Sequence, residues 1–118
     1  MRNSNVIDKI HDDLTELSVL NLQRNSWLGL DANYVSSYVE LMCRLFDDNN
    51  FNGFINHEAV KEGFSENFVK QLQELRDLLT VYTEKDTDEE IIADPKWQSI
   101  SQKAQAVIYL WKVERKLP

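Results

Sequence analysis

This chain predicts an all-α fold: a compact bundle of four main helices plus one or two short helices. Three observations carry that reading. Apolar residues return every three or four positions along most of the chain, the period of a helix with one buried face. Residues that cap helices stand immediately ahead of those stretches. Alternation of the strand kind is weak, and 3 Gly and 2 Pro are too few for a loop-rich β architecture. A length of 118 residues with 42% hydrophobic content suits a single helical domain, 1–118, with one real core.

The first helix is expected near 4–21, where Val6, Ile7, Ile10, Leu14 and Leu17 recur at helical spacing and acids occupy the opposite side. The stretch 25–30 breaks the pattern, with Gly29 supporting a turn. Asp31 then caps a second helix, whose wide apolar face takes in Tyr34, Val35, Tyr38, Val39, Leu41, Met42, Leu45 and Phe46. Such width predicts a central, buried helix, with Cys43 inside it. The turn formers at 47–53 end it.

Asn56 is expected to cap a short helix over 57–63, stopped by Gly63. Ser65 caps a longer one, 66–84, with Phe68, Val69, Leu72, Leu75, Leu79 and Tyr82 facing inward. Thr87 and Glu90 have the spacing of a capping box, which starts a short helix through Ile92. Asp94-Pro95 supplies the N-cap and first position of the last helix, about 95–115. Its inner face is Trp97, Ile100, Ala104, Val107, Ile108 and Trp111.

Composition narrows the function classes. The longest apolar run, 106–111, falls far short of the roughly 18 to 20 residues that cross a bilayer. The N-terminal residues show no apolar signal-peptide core, so a cytoplasmic location is expected. A lone Cys43 agrees with a reducing compartment. A formal net charge of -7 repels phosphate backbones and anionic membranes and attracts a basic partner. No nucleic acid, membrane or cofactor is therefore expected among its partners.

Signatures of catalysis are missing. There is no Gly-x-Ser-x-Gly elbow, phosphate-binding Gly loop or zinc-protease His pair, since Lys61 stands four residues after His57. His11 and His57 read as surface residues. The neighbouring acids Asp12-Asp13, Asp47-Asp48 and Glu89-Glu90 read as solvated faces rather than glycosidase pairs. No enzyme activity and no bound metal are expected.

Two segments carry a sharper signal. Residues 47–58 resemble the EF-hand calcium loop, a twelve-residue pattern of oxygen ligands with Gly at position 6. A register from Asp48 places Asn50, Asn52, Gly53 and Ile55 correctly but puts Ala59 at position 12. A register from Asp47 recovers Glu58 there but puts Phe51 among the ligands. A calcium-binding module is thus an alternative function. The run 84–94 carries six acids against one Lys, whereas 95–118 carries five basic residues against one Glu. Such an acidic edge is compatible with a solvated loop and with a docking surface for a basic groove. The expected contact residues are Asp86, Asp88, Glu89 and Glu90, with Asp47 and Asp48, or Asp12 and Asp13, as second choices. Trp27, in a Ser-Trp-Leu-Gly-Leu connection, is a candidate surface anchor.

In size, acidity, helical pattern and lack of catalytic motifs, the whole chain resembles the immunity proteins of bacterial contact-dependent growth inhibition. That resemblance implies a cognate toxin domain as partner, basic and commonly a nuclease, whose active site or substrate surface is blocked. A phage- or plasmid-type regulator that binds a host protein makes the same demand for a basic partner and stands as another alternative.

Overall fold

The computed structural model describes residues 4–115, and among them seven helices and no strand. They are α1 (Ser4–Ser18), α2 (Leu20–Trp27), α3 (38–48), α4 (51–61), α5 (Glu66–Val81), α6 (Asp88–Ala93) and α7 (Pro95–Arg115). The second half of α3, Cys43–Asp48, and the middle of α4, Phe54–Glu58, are wound as π-helix. The all-α expectation therefore holds, with more short helices than the sequence pattern suggested.

The long α7 is the spine, packed against α1 on one side and α5 on the other. Trp97 and Trp111 lie fourteen positions apart on it, about four turns, and both are buried. Trp97 centres one aromatic cluster, with Tyr82 at 5.3 Å, Tyr38 at 5.4 Å and Trp27 at 6.0 Å. Trp111 centres another, with Phe64 at 5.3 Å and Phe54 at 5.6 Å. Each fully buried large side chain contributes about 1.5 to 3 kcal/mol, so these two clusters hold both ends of the bundle.

Local signals placed several boundaries correctly. Ser65 accepts from the Phe68 amide at the start of α5, and Thr87 accepts from the Glu90 amide at the start of α6. Asp94 accepts from the Lys96 amide at the start of α7. Gly63 ends α4 with a φ of +88°, a conformation that glycine adopts without strain.

Other boundaries differ. The helix expected over 4–21 stops at Ser18, and Val19 turns to φ -123° before α2 begins. The break leaves the Glu16 carbonyl with only a long bond from the Val19 amide, at 3.5 Å, and those of Leu17 and Ser18 without a backbone donor. Gln23 Nε2 donates to Glu16 O at 3.0 Å and to Leu17 O at 2.9 Å, Ser101 Oγ donates to Leu17 O at 2.8 Å, and Gln105 Nε2 donates to Ser18 O at 3.0 Å. Side chains from α2 and α7 thus replace the missing backbone donors.

The helix expected from Asp31 starts instead at Tyr38, capped by Ser37. Asp31 spends its carboxylate on the Asn33 amide, a turn rather than a helix start. Val35 and Val39 are consequently exposed, at 66% and 59%, instead of lying on the buried face. The stripe that α3 buries is Tyr38, Leu41 and Leu45. Cys43 falls opposite that stripe and is exposed, not buried as expected. The helix expected to be capped by Asn56 begins earlier, at Phe51, with Asn50 as its cap.

Candidate functional site

The acidic run 84–94 occupies the connection from α5, the whole of α6 and the entry to α7. Its six carboxylates play different parts. Asp94 is buried and structural: its Oδ2 accepts from Tyr82 Oη at 2.8 Å and its Oδ1 from the Lys96 amide at 3.1 Å. The Tyr82 bond above all holds the Asp94 carboxyl below its ordinary range. Burial, together with that carboxylate, pushes the Tyr82 phenol well above its own. Glu90 reinforces the Thr87 cap, with Thr87 Oγ1 accepting from its amide at 3.2 Å and donating to its Oε1 at 3.0 Å. Asp88 Oδ1 lies 3.4 Å from the Tyr38 amide, tying α6 to the start of α3.

Glu84, Asp86 and Glu89 are exposed, and among the described residues none has a hydrogen bond or ion pair. The Tyr82–Asp94 bond and the Thr87 cap of α6 anchor the chain on either side of Glu84 and Asp86. Beside them opens a groove of about 630 Å³ between the C-terminal end of α5, the 82–87 connection and the first turns of α7. Leu78, Val81 and Ile100 give it apolar walls, and Asp86 and Glu90 belong to its lining.

The second-choice acids divide. Asp12, Asp13 and Asp48 converge on another cleft, of about 590 Å³, with Lys9, Arg44 and Asn49. Asp47 is exposed and is not part of that lining. Asp13 is buried and bonded to Asn49 Nδ2 at 2.7 Å, so it is not available to a partner as proposed for a solvated face. Burial raises its pKa, against the opposing pull of Asn49 and Arg44.

Next to Asp13 lies a polar centre that sequence reasoning missed. Glu16 Oε1 accepts from Tyr34 Oη at 2.6 Å and from Arg44 Nη2 at 3.0 Å. Its Oε2 accepts from Ser36 Oγ at 2.8 Å and from Trp27 Nε1 at 2.9 Å. Burial favours the neutral acid, but these four donors outweigh it and hold the carboxyl below the ordinary range. Burial likewise disfavours the Arg44 charge, and Tyr34 and Glu16 overcome it. Trp27 is therefore no surface anchor: it is 7% exposed, and its indole N–H is committed to Glu16. The available signal was Asp13, three positions after Ile10 and four before Leu17, which places a carboxylate within the buried arc of α1.

The segment resembling a calcium loop does not form one. Asp47 and Asp48 end α3, only Asn49 and Asn50 separate it from α4, and Asn50 sits at φ +49° with its Oδ1 accepting from the Gly53 amide. Ligand positions that an open loop would offer are wound into helix instead. Among the described residues no three His, Cys, Asp or Glu side chains come together as a metal set. His57 is exposed, and His11 rests edge-on against Trp111 at 4.9 Å.

Comparison with protein-family models, with curated proteins and with solved structures finds no match to this chain.

Proposed function

We propose that this chain is a binding protein that docks a basic protein domain through the edge 84–90. Within that class, we propose an immunity protein that neutralises the cognate toxin domain of a contact-dependent growth inhibition system, a nuclease-like domain, in the cytoplasm. The observation that carries the reading is the state of Glu84, Asp86 and Glu89: exposed, and without a side-chain partner among the described residues. Acids that stabilise nothing within their own fold are free to be complementary to something else. A nuclease holds phosphate and so presents basic residues, and an acidic edge competes for that surface. Steering of this kind raises the association rate, and buried anchors then slow dissociation.

The test compares the protein with a variant carrying Glu84→Lys, Asp86→Lys and Glu89→Lys. None of the three makes a side-chain bond within the described fold, so the variant should stay folded, with the helical circular dichroism of the parent. Both are immobilised, exposed to source-cell lysate at low and high salt, and the captured proteins are quantified by mass spectrometry. The expected result is a basic nuclease-like domain held by the parent at low salt, released by salt and absent from the variant. Its activity should fall to nothing at one equivalent of the parent protein. Equal capture by both proteins, or a captured enzyme that stays active in the complex, would count against the reading.

A further inference from the structure

The groove beside the acidic edge suggests what the partner brings to it. Leu78 and Val81 are 40% and 75% exposed on the last turns of α5, an unusual placement for two large apolar residues one helical turn apart. With the half-buried Tyr82 and with Ile100 they give the groove of about 630 Å³ an apolar side. Val81 and Leu78 also border a neighbouring depression with Glu74 and Asp77, so the apolar strip continues along the helix between acids.

The charges around it are unequal in their freedom. Lys103, at the far depression, is held by Glu74 at 2.7 Å. Lys85 and Lys96 line the groove but stand beside the buried Asp94, whose carboxylate they help keep ionised. Glu84 and Asp86 have no such internal partner among the described residues, and Glu90 is met only by the Thr87 hydroxyl and not by a cation. A second copy docked symmetrically through the same groove would bring these acids against one another. A basic segment would not.

The geometry points to a specific occupant: a segment of the basic partner that seats one large apolar side chain against Leu78, Val81 and Ile100, with Lys or Arg on both sides of it reaching Glu84, Asp86 and Glu90. This rests on the proposed docking function and names the anchor that the charged rim by itself lacks. Central apolar anchors surrounded by polar contacts are the arrangement in which few residues carry most of the affinity.

The test uses the full isotope-labelled chain and three short synthetic peptides, followed by NMR. One peptide has Trp between Arg-Lys and Lys-Arg, one replaces that Trp by Gly, and one keeps Trp but replaces the basic residues by Gln. The first peptide should shift the signals of Leu78, Val81, Tyr82 and Ile100, and the other two should bind at least tenfold more weakly. Val81→Ser, a change at an exposed position, should weaken the first peptide about tenfold and leave the Gly peptide unchanged. Shifts confined to residues 84–90, with equal affinity for the Trp and Gly peptides, would overturn the anchor and leave the acidic docking edge standing. Absence of shifts along the groove and the edge with every peptide, up to millimolar concentration, would overturn both.

Discussion

Glu16 accepts four side-chain hydrogen bonds from four different residues: Trp27, Tyr34, Ser36 and Arg44. An amide in its place has one acceptor oxygen and would turn its N–H2 toward either Arg44 or Trp27, both of which only donate. Glu16→Gln should therefore cost about 3 kcal/mol in urea unfolding at neutral pH, the range for a buried pair that loses one partner. The pH dependence has a definite sign. Its folded pKa is depressed from the ordinary 4.5, so the stability it supplies is complete above that value and is lost as pH falls through the folded value. The gap between parent and Glu16→Gln should narrow on acidification below about pH 4.5. Asp13 acts in the opposite sense: burial raises its pKa, so its ionisation opposes folding as pH rises through the folded value. A gap that stays constant down to about pH 3 would show that the Glu16 contacts do not depend on its charge.

At the scale of elements, the joint between α3 and α4 rests on one residue. Asn50 adopts φ +49° and caps α4 through the Gly53 amide. Ala at this position loses the cap and keeps the strained backbone, whereas Gly loses the cap but adopts the conformation freely. Asn50→Ala should cost about 2 kcal/mol and Asn50→Gly less than about half of that, measured as the shift in denaturant midpoint. Equal losses would assign the whole effect to the cap. Where a helix start was set by residues adjacent in sequence, as at Ser65, Thr87 and Asp94-Pro95, it was legible without the structure. The breaks at Val19 and across 31–37 were not. The first is closed by Ser101 and Gln105, more than eighty positions away, and the second is drawn out by Tyr34 and Ser36 bonding to Glu16. The same long-range bonds hid the candidate site's second cleft and withdrew Trp27 from the surface.

For the whole molecule, a net charge of -7 is a cost to the compact state, because like charges are brought closer on folding. Salt should relieve it. Raising ionic strength from about 10 mM to about 150 mM is expected to increase the melting temperature by a few degrees, since the Debye length falls from about 30 Å to about 8 Å. The variant with Glu84→Lys, Asp86→Lys and Glu89→Lys, which reduces the net charge, should melt with a weaker salt dependence. A fall in melting temperature with salt would mean that surface ion pairs such as Lys103–Glu74 outweigh the repulsion.

Helical class, the caps that depend on near neighbours, the stripe of core residues on α5 and α7, and the acidic run 84–94 all followed from the sequence by itself. Each depends on spacing within a few residues, and spacing is what a sequence displays. Tertiary structure alone decided which acids are spent inside the fold and which are left over. It buried Asp13 and Glu16 against donors from other elements, turned the expected anchor Trp27 inward, and set the exposed Leu78 and Val81 beside Glu84, Asp86 and Glu90. A carboxylate's role depends on what desolvates it and what donates to it, and both come from parts of the chain that meet only on folding.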